Sequence, residues 1–295
     1  MNALLPFREP LLSDAPMVQR STINALQSDL AFANLYLLRH KYNTEILFHM
    51  EHLIRHFGRG RLNGYSFPIG GSCSTLNECI HAIEQDAAAR KRPYSYCLLT
   101  AEQALYLQRI YGERIRFTCN NGDADYLYKR SNLAELPGTA YHKKRTHAAK
   151  FSRLHPDAGF RKLSNENKED VLYIAKHWLT AQPCTPALTH EFNAISTAIE
   201  NMDTLQLTGG IAYIQAKPVG FCLATRMNAG VTDIHYEKCL PEYRDAYVYI
   251  NHSFAQQADT EWINREEDLN IPGLRQAKLS YHPTLILTKL SATIC

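Results

Sequence analysis

The sequence predicts an α+β protein made of two halves with one design, each a mixed, mostly antiparallel sheet flanked by helices. Two observations carry this prediction. Apolar residues switch between helical and strand periodicity along the chain, in an order that repeats once. The 295 residues are also long for one core and comfortable for two, at about 100 to 200 residues per domain. Hydrophobic content of 45% and charged content of 21% are ordinary for globular proteins and argue against a disordered or fibrous chain.

In the first half, Leu5 to Arg8 reads as a strand, and Ser13 with Asp14 can cap a helix carrying Pro16 in its first turn. A second helix follows from Asp29, and Thr44 to Phe57 reads as two short strands. Tyr65 to Ile69 is a strand ended by Gly70 and Gly71. Thr75 and Glu78 then form a capping box for a helix with Leu76, Cys79, Ile80, Ile83 and Ala87 on one face. Tyr94 to Leu99 is a strand, Thr100 and Gln103 open a helix through Tyr111, and Ile115 to Cys119 with Ala124 to Tyr128 make a closing strand pair about Asn120, Asn121 and Gly122.

The second half repeats the order. A strand near Phe160 to Leu163 precedes two helices, one with Val171, Ile174, Ala175 and Trp178 on its face, the other with Phe192, Ile195, Ile199 and Met202. Strands follow near Leu205 to Leu207, Ile211 to Gln215, Val219 to Thr225 and Val231 to Tyr236. A helix carries Tyr247, Ile250, Phe254 and Ala258; Glu261 to Ile263 is a short strand, Pro272 opens a helix, and Thr284 to Ile294 ends the chain as strand. Strand, two helices, a three-strand antiparallel run, helix, strand, helix and final strands is the order of the GCN5-related N-acetyltransferase (GNAT) fold, so the expectation is a tandem. Its boundaries are a first domain at 1–138, a basic linker helix at 139–156 and a second domain at 157–295.

Net charge is only +3, but Leu136 to Pro156 contains no Asp or Glu and holds Lys143, Lys144, Arg145, Lys150 and Arg153, which leaves the rest of the chain at −2. The positive charge is therefore local. Eight cysteines, at 73, 79, 97, 119, 184, 222, 239 and 295, form no CxxC pair and fit reduced thiols in a cytosol. The N-terminus lacks a signal-peptide pattern, and no apolar run approaches the ~18 residues of a membrane span, so a cytoplasmic protein without an integral membrane segment is expected.

Six blocks carry a resemblance: SDLAFANLYLLRHKY at Ser28 to Tyr42, DADYLYKRSNLAELPG at Asp123 to Gly138, YHKKRTHAAKFSRLHP at Tyr141 to Pro156, IHYEKC at Ile234 to Cys239, and NREEDL and GLRQAKLSYHP between Asn264 and Pro283. Together they resemble a bacterial family described by similarity to the C-terminal domain of phosphatidylglycerol lysyltransferase. That resemblance implies a tandem GNAT architecture related to transferases that move an aminoacyl group from tRNA onto an amine or hydroxyl. It does not imply the same substrate.

The candidate site centres on the C-terminal block. Catalysis in this fold is mostly positioning of a nucleophile against an acyl carbonyl, with a carboxylate taking its proton and a tyrosine assisting the leaving group. Glu266 is the expected base and Tyr281 the acid, with Asn264 beside them. Arg265, Asp268, Lys278, Glu237 and Asn251 are expected to bind substrate or donor, and His235 alternates with Tyr236 on the same strand. A plain salt-bridge lattice of Arg265 and Lys278 is the rival reading. On the basic helix Lys144 and Arg145 fall beside the apolar stripe and should reach inward, with His142 on the outer face; they are candidates for an anion or RNA phosphate, against a solvated linker helix. Gly70 and Gly71 before a helix offer backbone N–H groups to a phosphate or carboxylate. The turn Leu240 to Tyr247 lacks the glycine-rich pyrophosphate loop of acetyl-CoA enzymes.

No metal is expected, since the spacing of His49, His52 and His56 matches no common ligand motif, and no tightly bound cofactor is expected. Aminoacyl-tRNA or an acyl-CoA is the expected co-substrate, tRNA a candidate partner and a small molecule the acceptor. An acyl- or aminoacyltransferase leads, and a non-catalytic module binding a small anionic ligand or RNA is the alternative.

Overall fold

The structure, a computed structural model, describes residues 4–60, 62–92 and 94–295. The chain runs through α1 (Ala15–Ser21), α2 (Phe32–Leu37), α3 (Arg39–Tyr42), β1 (Thr44–His49), β2 (His52–Arg59), β3 (Leu62–Tyr65), α4 (Leu76–Ala89), β4 (Ser95–Leu99), α5 (Ala101–Tyr111) and β5 (Ile115–Cys119). It continues through β6 (Asp125–Lys129), α6 (Arg130–Glu135), α7 (His142–Leu154), β7 (Gly159–Lys162), α8 (Lys168–Thr180), α9 (Pro186–Glu200), β8 (Leu207–Ile214), β9 (Lys217–Arg226) and β10 (Val231–Cys239). The last elements are α10 (Ala246–Gln257), β11 (Trp262–Asn264), α11 (Pro272–Leu279), β12 (Leu285–Leu287) and β13 (Leu290–Ile294).

These elements form two compact units, and neither is one continuous stretch of chain. The first runs as far as Asp125 and adds Glu267–Ile271 and Ile286–Cys295; the second comprises Tyr126–Glu266 and Pro272–Leu285. The expected boundary at 138 is thus moved to 125, the basic helix is part of the second unit, and the C-terminal strand belongs to the first.

The first unit has the sheet order β1-β2-β3-β4-β13-β5, antiparallel except where β3 meets β4 at Tyr65 and Tyr96. Helices α4 and α5 cover it through the apolar faces expected from their spacing, burying Cys79, Ile80, Ile83, Ala104 and Leu107 against Tyr65, Tyr96, Leu99 and Ala292. Thr100 and Gln103 make the reciprocal capping box of α5, whereas Thr75 makes no side-chain cap on α4. Asp14 does not cap α1 either, because Arg8 and the Leu11 N–H take its carboxylate. The expected strand at Leu5 to Arg8 shrinks to one bridge between Arg8 and Ile46.

The second unit has the order β12-β6-β11-β10-β9-β8-β7, with β10 and β11 parallel and β7–β8, β8–β9, β9–β10 and β6–β11 antiparallel. One sheet face packs on Leu133, Phe151, Ala246, Ile250 and Phe254 of α6, α7 and α10, and the other on Val171, Ile174, Ile195 and Ile199 of α8 and α9. Both units keep the GNAT order, a three-strand antiparallel run, a helix, then a parallel strand, so the tandem stands.

Other strand expectations change as well, the strand expected at Tyr65 to Ile69 standing at Leu62–Tyr65. The pair Ile115–Cys119 and Ala124–Tyr128 does not form: β5 joins the first sheet and β6 the second. Tyr126, Leu127 and Tyr128 are all buried, as a central strand covered on both faces requires. The final strand divides at Thr288 and Lys289, β12 ending in the second sheet and β13 entering the first between β4 and β5. The two strands expected at 205–215 are one, because Gly209 and Gly210 stay paired with Leu223 and Cys222 of β9.

Lys289 fixes the entry of β13. Its ammonium lies 2.8 Å from both Asp125 Oδ1 and Asp29 Oδ1, and Arg55 holds the other Asp29 oxygen at 2.9 Å. Ser28 completes Asp125 through its backbone N–H and hydroxyl, at 2.7 and 2.8 Å. Two cations and two carboxylates therefore neutralise one another where they pack together, as such burial demands, and Arg55 Nε stays buried without a protein acceptor.

Candidate functional site

In the second unit, β10 and β11 are parallel only over Val231–Trp262, Thr232–Ile263 and Asp233–Asn264. Beyond Asn264 the chain no longer pairs with β10, keeping backbone hydrogen bonds to Tyr126 of β6 at Arg265 and Glu266, while β10 continues along β9 to Cys239. A bulge between Ile234 and Tyr236 places His235 as the extra residue at this point, and bulges bend a strand and re-aim its side chains. The strands therefore part at His235 to Glu237 on one side and Arg265 to Glu266 on the other.

The departing turn is pinned. Glu266 has a left-handed φ of 57°, and its N–H donates to Asn264 Oδ1 at 2.7 Å. Lys278, on α11, donates its ammonium to the carbonyls of Arg265 and Glu266, the latter at 3.0 Å. The Arg265 N–H donates to the Tyr126 carbonyl at 3.0 Å. Asn264 and Lys278 thus shape the turn that presents Arg265 and Glu266, and the Lys278 ammonium, expected to bind substrate or donor, contacts these backbone oxygens.

Arg265 and Glu266 serve two separate groups. Glu266 Oε1 lies 2.9 Å from His235 Nδ1, Asp233 Oδ2 lies 3.5 Å from the same nitrogen, and His235 Nε2 lies 2.8 Å from the Thr225 hydroxyl. One tautomer satisfies the ring: Nδ1–H donates to Glu266, and Nε2 accepts from Thr225. The donor atoms of Asp233, His235 and Glu266 all fall within 4.8 Å of one another, a spacing that can hold a cation.

The second group surrounds Tyr281. Arg265 Nη2 pairs with Glu237 Oε2 at 2.6 Å, and Asn251 Nδ2 donates to the other Glu237 oxygen at 3.3 Å. Arg265 Nε and Nη1 and Asn251 Oδ1 are buried without a protein hydrogen-bond partner. The Arg265 guanidinium lies 4.9 Å, and the Lys144 ammonium 3.7 Å, from the Tyr281 ring centroid. The Tyr141 hydroxyl donates to the Tyr281 carbonyl at 2.9 Å and fixes α7 there. Burial pushes the Tyr281 hydroxyl up to about 12, so it stays protonated at neutral pH; Arg265 opposes the shift. Burial, helped by Arg265, holds Lys144 down to about 8.

The structure therefore brings together Asn264, Arg265, Glu266, Lys278, Tyr281, Glu237, Asn251 and Lys144, although Glu266 and Tyr281 keep different partners. Arg145 does not reach inward: its guanidinium donates to the Leu136 and Gly138 carbonyls, the latter at 2.6 Å, and His142 is exposed. Asp268 lies in the first unit, where Oδ1 accepts the Asn270 N–H at 2.8 Å.

Gly70 and Gly71 are also in the first unit and precede α4 by several residues. Gly70 has φ +92° with Ser21 2.6 Å from where a Cβ would stand, and at Gly71 a Cβ would meet the His52 ring at 2.6 Å. Close packing explains both. His52 and His56 have separate neighbours, Thr75 for one and Glu45 with Arg92 for the other. All eight cysteines are free, and among the described residues no helix is long and apolar enough to cross a membrane. Asp233 and Thr225 carry no sequence signal of their own; the bulge that gathers them around His235 is a tertiary feature.

Known proteins place this architecture. A conserved protein of unknown function from Bacteroides thetaiotaomicron is 31% identical, with 99% of this chain and 100% of that one covered at a TM-score of 0.93. L-PGS from Bacillus licheniformis shares the fold at a TM-score of 0.68 and 13% identity, covering 97% of this chain and 92% of that one. An uncharacterized protein of Mycoplasmoides gallisepticum is 25% identical over 210 residues, or 65% of this chain and 66% of that protein, just under two thirds of its length. Residues 20–292 match the family described as phosphatidylglycerol lysyltransferase, C-terminal, and the chain belongs to that family.

Proposed function

We propose that the protein is a transferase that moves an aminoacyl group, donated by tRNA, or an acyl group onto an amine or hydroxyl acceptor at the parting of β10 and β11. The observation that carries this reading is the pairing of Glu266 with His235 at the bulge, with the adjacent Arg265 lying over a buried, protonated Tyr281. Family membership supports the reaction class.

The acceptor's nitrogen or oxygen attacks the acyl carbonyl and passes its proton to Glu266, which His235 and the Asn264 turn hold in place. Collapse of the tetrahedral intermediate breaks the bond to the leaving oxygen or sulfur, which takes a proton from Tyr281. A proton then returns from Glu266 to Tyr281 through solvent, and the residues end as they began. The substrate carbonyl has to bridge the Glu266 and Tyr281 groups, which is a demand on positioning.

A second reading, a binding module without turnover, is favoured by the Arg265–Glu237 ion pair and by Lys278, whose ammonium is occupied by backbone carbonyls. Thermal-shift titration with aminoacylated tRNA, uncharged tRNA and acyl-CoA separates the donors, because a ligand of the folded state raises Tm by mass action. The proposal expects stabilisation by aminoacylated tRNA beyond that by uncharged tRNA, or by an acyl-CoA. No shift with any donor would favour the binding module.

A further inference from the structure

Around Tyr281 the charges do not balance. Lys144 and Arg265 both lie over its ring, and among the described residues Glu237, paired with Arg265, is the one carboxylate that either of them contacts. Lys144 has an aromatic face where a half-buried ammonium would be better served by an anion. Arg265 keeps two buried N–H donors, Nε and Nη1, without protein acceptors. A guanidinium with its remaining donors buried and unused is costly unless something accepts from them. The neighbouring cations do not share this position: Arg145 is committed to the Leu136 and Gly138 carbonyls, and His142, Lys143, His147 and Lys150 are exposed.

We propose that Lys144 and Arg265 form an oxyanion subsite beside Tyr281 that takes a carboxylate or phosphate group of a substrate, with Lys144 as its principal ion partner. The proposal rests on the parting of β10 and β11 being the substrate site, but it concerns binding alone. Glu237 and Asn251 hold the Arg265 guanidinium from one side and leave Nε and Nη1 for the ligand. The lowered Lys144 value agrees, since burial beside Arg265 disfavours the ammonium until an anion joins it.

Competitive acylation of lysines, read by mass spectrometry on the intact chain, tests this with acetate and inorganic phosphate as probes. Protection of Lys144 by acetate alone identifies a carboxylate site, and protection by phosphate alone a phosphate site. In calorimetric titration of the protecting probe, Lys144→Met should weaken binding at least about tenfold, while Arg145→Ala stays within about twofold. Lys144 reactivity unchanged by either probe overturns the subsite, as does equal binding by Lys144→Met. The wild-type labelling decides the matter even if the variant folds poorly. Protection without any transfer activity leaves the subsite standing and removes the transferase reading; transfer activity without protection does the reverse.

Discussion

His235 Nδ1 lies 2.9 Å from Glu266 Oε1, across 31 residues of sequence and at the point where two parallel strands stop pairing. Glu266 sits in a left-handed turn closed by Asn264, so the carboxylate is held by its backbone and by the imidazole together. Glu266→Gln should lower transfer by about 10²- to 10⁴-fold, the usual contribution of a general base, with Tm unchanged. His235→Gln, whose amide reaches the Nε2 position and not Nδ1, removes the contact with Glu266 and should lower kcat with a smaller effect on KM. Steady-state kinetics on both variants checks this, and a joint loss of activity and Tm in Glu266→Gln would mark a structural role instead.

Lys289 carries the corresponding burden in the first unit. Replacing it with Met leaves Asp29 and Asp125 buried with one cation, Arg55, and should cost about 3–5 kcal/mol in urea unfolding. The same cluster makes the fold acid-sensitive. Burial pushes the Asp29 carboxyl up, but Lys289 and Arg55 outweigh it and hold the group below its ordinary value of 3.8. Its stabilisation is therefore complete above that value and is lost as pH falls through the lower folded value. Urea midpoints measured down through pH 3 should fall less steeply for Lys289→Met than for the wild type.

Lys144 is also held below its ordinary value, but for a cation the downward shift is a penalty and not a stabilisation. Its folded value of about 8 lies below the ordinary 10.5, so between these values the unfolded chain binds the proton that the folded chain has released. Stability from this group rises with pH across that window and the penalty is full below it. Arg265 and the Tyr281 ring face it, with Glu237 paired to Arg265, and Lys144→Met should flatten the stability profile between about pH 8 and 10.5. Denaturation midpoints across this range provide the check; an identical slope in the variant would remove Lys144 as its source.

Gly70→Ala separates packing from binding. The alanine Cβ would meet Ser21 in a backbone conformation that side chains rarely adopt, so a loss of about 1–3 kcal/mol is expected with donor binding unchanged. Donor affinity measured beside Tm decides between packing and the phosphate role expected for this turn.

Local chemistry was readable where it acts locally. The apolar face of α4, the capping box of α5 and the inward turn of Lys144 on α7 all follow from helical spacing. Strand partnership did not follow, because pairing is decided by burial of whole faces. Tyr126 to Tyr128 reads like one arm of a hairpin with β5, yet it is a central strand of the other sheet. The C-terminal run reads as one strand and divides at Lys289, whose partners Asp29 and Asp125 are 260 and 164 positions earlier. The candidate residues of the NREEDL block were legible by type, but their division between His235 and Tyr281 depends on a bulge with no local sequence mark.

The account stands or falls on whether bonds change at Glu266. The most direct measurement is single-turnover transfer from labelled aminoacyl-tRNA, with acyl-CoA in parallel, to amine and hydroxyl acceptors. The account predicts acceptor-dependent loss of label from one of these donors, slowed by about 10²- to 10⁴-fold in Glu266→Gln while donor binding persists. Binding of donor by folded wild-type protein with no transfer to either class of acceptor would contradict it.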